Sequence, residues 1–198
     1  MVIKAYTDGS YKNGIYGSGA VVLDEKNREI EKLYSGGEDL SGIRNIAGEI
    51  EAVKGVLAYA YKLKSNGGDI TDVVIYHDYI GLQKWADGEW KTNKIETTNY
   101  KEYVRRARTH FRVIFQKVEA HSGNQHNEIA DALAKQGIEA FIKAQFSVVN
   151  SVDTTADTTE EDIPVKEELA TLYDNLVKLY EEQGKQIKKI KDLINKIA

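Results

Sequence analysis

Residues 2–10 read VIKAYTDGS, an apolar strand-like segment that runs into an aspartate, a glycine and a serine. An acidic residue recurs in comparable positions along the chain, where an apolar segment ends or a helix begins. The carboxylates that share this placement are Asp8, Glu49, Asp78 and Asp131. Carboxylates that converge from separate elements form an all-oxygen site of the kind that hard divalent cations prefer. The chain therefore predicts a divalent metal site.

The segments around this first strand follow a definite order. Segments 2–8, 17–24 and 28–35 are β-rich and are separated by glycine-containing or charged turns, which predicts an antiparallel meander. Further elements are predicted at 46–64 (helix), 73–76 (strand), 79–86 and 99–109 (short helices), 113–118 (strand) and 127–145 (helix). Strands and helices in this order predict an α/β fold.

The C-terminal part of the chain has a different composition. Residues 147–164 are acidic and threonine-rich and end at Pro164, the only proline, which predicts a linker between a first domain, 1–146, and a tail, 165–198. Leucine and isoleucine recur in the tail at a 3-4 spacing that predicts an amphipathic helix, a helical hairpin or a short coiled coil. Three occupants of its apolar face stay open: a second copy in a homodimer, the first domain, or another protein.

Cysteine is absent from the sequence, which excludes disulfides and thiolate metal sites and leaves oxygen or imidazole ligands. This favours Mg²⁺ or Mn²⁺ over zinc. No apolar run approaches the roughly 20 residues that span a bilayer, and residue 1 leads into the first strand without a signal-peptide pattern. We therefore expect a cytoplasmic protein with no membrane partner.

The net charge of −4 is unevenly distributed along the chain. Residues 1–146 carry 20 basic and 20 acidic side chains, whereas residues 147–198 carry 7 and 11. Basic residues cluster at Lys84, Lys91, Lys94 and Lys101 and in the segment 105–108. Such a cluster can form a local phosphate-facing patch, although a solvated helix face explains the arginine run equally well.

Five short motifs occur in a fixed order: YTDGS at 6–10, AGE at 47–49, IYHD at 75–78, HSGN at 121–124 and NEIAD at 127–131. In order and spacing they resemble the type 1 ribonuclease H family, over residues 1 to about 145. Residues 81–93, GLQKWADGEWKTN, look most like the branch of that family often fused to a viroplasmin-type hybrid-binding module. We expect this chain to lack that N-terminal module, because its first residues already read as the first strand.

The resemblance implies the ribonuclease H fold, a mixed five-stranded sheet flanked by helices, here followed by a helical extension. It also implies that 1–146 is a catalytic domain that hydrolyses the RNA strand of RNA/DNA hybrids by two-metal-ion catalysis, leaving 5′-phosphate and 3′-hydroxyl ends. The implied cofactor is Mg²⁺, two ions per site, with Mn²⁺ as a substitute. Two alternatives stay open: a DNA nuclease of the same fold and a catalytically silent hybrid-binding scaffold.

The resemblance also implies roles for the acidic residues. Asp8 would bridge both metal ions, Asp131 would complete one ion's ligand set, and Glu49 with Asp78 would hold the other. Glu128, three residues before Asp131 and on the same helix face, would be an auxiliary acid near the metals.

Helical periodicity gives independent orientations for two of these residues. Glu49 shares a face with apolar residues, whereas Glu51 faces solvent and pairs with Lys54. Asp131 borders Ala134, which predicts an inward carboxylate that would be costly if it stayed unpaired without a metal.

Histidine and substrate-contact candidates complete the predicted site. His121 matches the family's mobile loop histidine, which implies proton transfer or product departure, whereas the other histidines have no such match. Asn45 resembles a family asparagine that contacts the minor groove of the hybrid, although Ile46 departs from a second one. The predicted substrate-binding residues are Gly9, Ser10, Asn45, Trp90 and Lys91.

Overall fold

The computed structural model describes residues 1–119 and 124–151, with side chains up to residue 145. His121, the segment after Ser151 and the tail 165–198 lie outside the described residues. The elements, in chain order, are β1 (Val2–Lys12), β2 (Ile15–Leu23), β3 (Glu29–Glu38), α1 (Asn45–Ser65), β4 (Asp72–His77), α2 (Gly81–Ala86), α3 (Ile95–Ala107), β5 (Arg112–Lys117) and α4 (Gln125–Ser151). Their order and type confirm the predicted α/β fold.

The sheet has the strand order β3-β2-β1-β4-β5. The strands β1, β2 and β3 are antiparallel neighbours, whereas β4 and β5 run parallel to β1. The mixed five-stranded sheet implied by the resemblance is therefore confirmed. The parallel pairing of β1 with β4 ends at Tyr6 and Tyr76, so that the residues following this pair on both strands lie at one edge of the sheet.

The first strand is longer than predicted, and Asp8 does not end it. Asp8 pairs with Gly19 of β2, and β1 continues to Lys12. The turn after β1 explains the difference, because Asn13 and Gly14 both have positive φ angles, 51° and 87°. Two consecutive residues of this kind form a tight hairpin turn whose twist matches that of paired strands. Pairing between β1 and β2 therefore extends to the turn itself.

The main core lies between α1 and the sheet. Val53 and Val56 of α1 are fully buried, as are Ile3 of β1 and Ile75 of β4, and all four belong to one apolar cluster. Burial of a side chain of this size stabilises a fold by about 1.5–3 kcal/mol. This packing holds α1 firmly against the two strands that lead to the predicted metal ligands.

The last helix lies in direct backbone contact with β2. A Cβ atom at Gly17 would lie 1.9 Å from the carbonyl oxygen of Ala134, and one at Gly19 would lie 2.1 Å from that of Ala130. Only glycine permits such an approach of helix and strand. These two glycines therefore place α4, and with it Asp131, over β2.

The last helix also extends past its predicted end at residue 145. It continues to Ser151 and so overlaps the first residues of the predicted linker 147–164. No glycine or proline occurs between Gly137 and Pro164 to stop the helix. Residues Met1–Gln145 form one compact unit, and the domain limits beyond it stay predictions. In the described part of the chain, no helix is both long enough and apolar enough to cross a membrane.

Candidate active site

Three of the four predicted ligands meet at the edge where β1 and β4 diverge. Asp8 and Asp78 each follow the last β1–β4 pair, Tyr6 and Tyr76, by two residues, and Glu49 lies in the second turn of α1. One carboxylate oxygen from each of the three lies within 4.8 Å of the others. Since neighbouring parallel strands end at the same edge, the sheet register itself brings Asp8 and Asp78 together.

Gly9 is the reason that α1 comes close enough to complete this cluster. A Cβ atom at Gly9 would lie 2.3 Å from the carbonyl oxygen of Asn45 and 2.4 Å from the backbone nitrogen of Glu49. Any side chain here would therefore push the first turns of α1 away from β1. The Gly9 N–H group also donates a hydrogen bond to Asp8 Oδ1 at 2.7 Å. Gly9 thus shapes the acidic cluster, and its predicted contact with substrate stays a prediction.

Burial and mutual repulsion keep the carboxylates of this cluster from ionising freely. Glu49 is only 2% exposed, and its Oε2 atom is buried without a hydrogen-bond partner among the described residues. Its pKa is raised well above the usual value, first by burial and then by the charges of Asp8 and Asp78. Burial, followed by the charge of Asp78, raises the pKa of Asp8 to about 6. A bound divalent cation would satisfy the unpartnered oxygen and offset the repulsion, so these residues fit one.

Asp131 lies near the cluster but belongs to a different local arrangement. Its charge contributes to the raised pKa of Asp8, yet its Oδ2 atom accepts a hydrogen bond from Lys135 Nζ at 2.7 Å, and its side chain is 37% exposed. The Asp131 carboxylate is therefore partly exposed and paired, because one helical turn brings a lysine to it. Its role as a metal ligand stays a prediction, as does the auxiliary role of the exposed Glu128.

The predicted orientations of Glu49 and Glu51 are confirmed. Glu51 remains partly exposed and forms an ion pair with Lys54, at 2.7 Å between Oε1 and Nζ. Glu49 points from the opposite face of α1 into the acidic cluster. Helical periodicity was sufficient for this distinction, because both orientations are set within α1 itself.

An aromatic stack next to the cluster was not foreseen from the sequence. The rings of Tyr6 and Tyr76 stack at 4.5 Å, and the ring of His126 stacks on Tyr6 at 5.3 Å. Asn124 accepts a hydrogen bond from the His126 N–H group at 3.1 Å and donates one to the Tyr6 hydroxyl at 3.4 Å. The stack therefore attaches the start of α4 to β1 and β4. Its only signal in the sequence is a tyrosine two residues before both Asp8 and Asp78.

His77, which had no predicted role, is completely buried beside Asp78. Burial lowers the pKa of the His77 imidazole, and its Nδ1 lies 3.0 Å from the carbonyl oxygen of Tyr79. Since a carbonyl can only accept, Nδ1 carries a proton and donates it to this bond. The ring also packs edge-on against Phe115 at 5.7 Å. His77 thus supports the turn that presents Asp78.

The predicted substrate-binding residues lie on three segments: β1, the start of α1 and the connection between α2 and α3. Asn45 is exposed at the first residue of α1, and Trp90 is 42% exposed in the connection between α2 and α3. Trp90 packs edge-on against Trp85 at 6.0 Å, and Trp85 packs against the core, so Trp85 anchors this connection to the domain. The roles of Ser10, Asn45, Trp90 and Lys91 in substrate binding stay predictions.

The basic cluster divides into paired and unpaired cations. Arg105 and Arg106 both pair with Glu102, which agrees with a solvated helix face. Other pairs join Lys84 to Glu89 and Arg108 to Asp87. Lys94 Nζ donates to the carbonyl oxygen of Ser41 at 2.6 Å. Lys91 and Lys101, in contrast, have neither an ion pair nor a hydrogen bond with the described residues.

Comparison with known proteins agrees with the geometry of the site. The family model for RNase H matches residues 2–139. A ribonuclease H of Rhizobium etli is 31% identical over 153 residues, which cover 72% of this chain and 95% of the relative. A ribonuclease H of Brucella anthropi is 32% identical over 149 residues, covering 70% of this chain and 91% of the relative.

Two solved structures share the fold. RNase H1 from Halobacterium salinarum is 21% identical, with a TM-score of 0.57 over 71% of this chain and 99% of its own. LC11-RNase H1 in complex with an RNA/DNA hybrid is 17% identical, with a TM-score of 0.59 over 71% of this chain and 99% of its own. The family match ends before residue 147, so it does not extend to the predicted linker and tail.

Proposed function

Because the chain belongs to the RNase H family, we propose that it is a metal-dependent endonuclease that hydrolyses the RNA strand of RNA/DNA hybrids, leaving 5′-phosphate and 3′-hydroxyl ends. One observation carries the proposal: Asp8, Glu49 and Asp78 place carboxylate oxygens within 4.8 Å of one another, although burial and repulsion oppose their ionisation. A scaffold that only binds a hybrid gains nothing from such a costly arrangement.

The cofactor in this proposal is Mg²⁺, two ions per site, with Mn²⁺ as a substitute. The clustered ligands Asp8, Glu49 and Asp78 offer carboxylate oxygens, which these hard cations prefer. Asp8, Glu49 and Asp78 would hold the ions, with Asp131 as the fourth ligand. Bound ions of this kind activate the attacking water and stabilise the leaving oxygen of a phosphodiester.

The protein itself supplies rigid positioning of the acidic groups. Asp8 is fixed within a paired strand, and the Gly9 N–H group orients its carboxylate. Buried His77 supports the turn that carries Asp78, and α1 is packed firmly enough to keep Glu49 out of water. Ligands held in this way lose little conformational freedom on binding a cation.

The hybrid would be bound by the surface segments that flank the acidic cluster. Asn45 lies four residues before Glu49 and would meet the minor groove, where 2′-hydroxyls distinguish RNA from DNA. Lys91 and Lys101 are unpaired within the described part of the chain and would contact phosphates, while Trp90, which precedes Lys91 in the sequence, offers a partly exposed ring. Phosphate contacts of this kind make binding weaker as salt increases.

The decisive experiment compares RNA/DNA, RNA/RNA and DNA/DNA duplexes of one sequence, with Mg²⁺ and with EDTA. We expect cleavage of the RNA strand of the hybrid only, and only with Mg²⁺. Glu49→Gln should reduce cleavage by roughly 10²-fold or more. Glu51→Gln is the matched control on the same helix, because Glu51 pairs with Lys54 outside the cluster, and it should cut at the wild-type rate.

Three outcomes would contradict the proposal. Cleavage that persists in EDTA excludes the metal-dependent mechanism. Equal cleavage of DNA/DNA identifies a DNA nuclease of the same fold. Tight binding of the hybrid without any cleavage identifies a silent scaffold.

A further inference from the structure

The residue that precedes α1 has a backbone conformation that its side chain disfavours. Arg44 has φ 57° and ψ −128°. Among the described residues, the other non-glycine residues with positive φ are Asn13 and Asn27, and asparagine tolerates this region better than arginine does. A residue held in such a conformation persists only when its surroundings impose it, and this is typical of functional sites.

The carboxylate of Asp39 imposes the conformation of Arg44. Asp39 Oδ2 accepts a hydrogen bond from the Arg44 N–H group at 2.6 Å. Asp39 Oδ1 accepts one from the Ile43 N–H group at 3.2 Å and one from the Ser41 hydroxyl at 3.0 Å. Burial alone would raise the pKa of Asp39, but these donors outweigh it and hold the pKa below its usual value. The carboxylate is therefore ionised at neutral pH and binds three donors of one segment.

Two further hydrogen bonds attach this segment to the rest of the protein. The Asp39 N–H group donates to the carbonyl oxygen of Gly14, in the β1–β2 turn, at 2.8 Å. Lys94, at the start of α3, donates from Nζ to the carbonyl oxygen of Ser41 at 2.6 Å. Segment 39–44 is thus joined to the hairpin on one side and to the basic segment between α2 and α3 on the other.

The position of segment 39–44 determines where α1 begins. Arg44 is followed directly by Asn45, whose carbonyl oxygen lies against Gly9, the residue next to Asp8. A shift of the segment would therefore move Asn45 while Glu49, held by the buried part of α1, keeps its place. Recognition of the hybrid would change before the chemistry does.

We infer that Asp39 and Lys94 are positioning residues that hold segment 39–44, and with it Asn45, in the arrangement that binds the hybrid. Neither side chain contacts the hybrid in this inference. Lys94 thus has a different role from Lys91, although both belong to the same basic cluster. The inference rests on the proposed function, because it concerns the recognition of that same substrate.

The test uses the full chain and the substitutions Asp39→Asn and Lys94→Met. Asparagine keeps the size of Asp39 but cannot accept hydrogen bonds at both positions. Loss of one charge-assisted hydrogen bond should leave about a tenth of the molecules with the segment in its binding arrangement, so we expect KM for a short RNA/DNA hybrid to rise about tenfold in each variant. The value of kcat should stay within about twofold.

Two matched controls separate positioning from other effects. Asp24 also accepts hydrogen bonds from backbone N–H groups, those of Lys26 and Arg28, but in the β2–β3 turn. Asp24→Asn should lower the melting temperature and leave KM unchanged. Lys91→Met should reduce the slope of log Kd against log salt by about 0.9, the value for one phosphate contact. Lys94→Met should weaken binding without changing that slope.

Amide hydrogen exchange reports on the segment without any substrate. The Ile43 and Arg44 amides should exchange at least tenfold faster in Asp39→Asn than in the wild type. Adding Arg44→Gly should recover part of the melting temperature lost in Asp39→Asn, because glycine accepts positive φ without strain.

The outcomes distinguish this inference from the proposed function. If the wild type cuts the hybrid and both variants have its KM and its amide exchange rates, the positioning role alone is overturned. A reduced salt slope in Lys94→Met makes Lys94 a phosphate ligand and overturns its assignment here. A wild type that leaves the hybrid uncut overturns the proposed function and, with it, the recognition role of the segment.

Discussion

Asp8→Asn tests the physical state of the acidic cluster independently of activity. In the folded protein the pKa of Asp8 is about 6, compared with its ordinary value of 3.8. Burial is the largest cause, followed by the charge of Asp78. Because the folded-state pKa is the higher one, the contribution of Asp8 to stability is fully present below pH 3.8 and is lost as the pH rises through about 6. Asparagine has no proton to lose, so the variant does not undergo this loss.

The size of the effect follows from the two pKa values. A difference between 3.8 and about 6, at about 1.4 kcal/mol per pH unit, corresponds to about 3 kcal/mol at pH 8. For a protein of this length the gain corresponds to roughly 6–12 °C in melting temperature. Removal of the Asp8 charge also eases ionisation of Glu49, since that charge is the second cause of the raised Glu49 pKa.

The assay is thermal unfolding of wild type and Asp8→Asn in EDTA at pH 4 and at pH 8. We expect Asp8→Asn to be more stable at pH 8 and the difference to become small at pH 4. Mg²⁺ should then stabilise the wild type and have less effect on the variant, because ligand binding to the folded state raises stability. A variant that is equally or less stable than the wild type at pH 8 in EDTA would refute the reasoning, since burial and repulsion would then not destabilise the ionised Asp8 carboxylate.

Three further predictions concern packing, the loop histidine and the tail. Gly9→Ala should destabilise the protein by more than the usual cost of overpacking, about 1–3 kcal/mol, because the backbone of α1 blocks the new methyl group. Its control, Gly55→Ala, places a methyl group where no atom lies within 4 Å and should stabilise α1 by up to about 1 kcal/mol. Equal melting temperatures of the two variants would contradict this packing. His121→Ala should lower kcat by roughly 10²-fold or less and leave the Mg²⁺ titration unchanged; a shift as large as that of Asp131→Asn would make His121 a ligand. A chain that ends at Ser151 should keep most of its cleavage activity on short hybrids. A loss of activity restricted to long hybrids would indicate a homodimer that acts through effective concentration. If the shortened chain folds but loses activity on short hybrids, the tail belongs to the site.

Local patterns in the sequence were sufficient for the order of the elements and for the orientation of Glu49. Helical periodicity placed Glu49 with Val53 and Val56, and the structure buries all three. The turn between β1 and β2 also has a local signal, the sequence Asn13-Gly14, although the predicted first strand stopped short of it. Features of this kind depend on residues within a few positions of each other, so the linear sequence contains them.

The tertiary structure decided what depends on residues distant in the chain. The β1–β4 register brings Asp8 beside Asp78, and Asp39 imposes the backbone conformation of Arg44. The pair of Lys135 and Asp131 combines both kinds of information. The sequence shows that the two residues are four positions apart, but whether they pair depends on the exposure of that part of α4. The sequence thus determined which groups are available for chemistry. Packing of the sheet against α1 and α4 determined which of them meet, because strand register, burial and charge–charge distances are properties of the assembled fold.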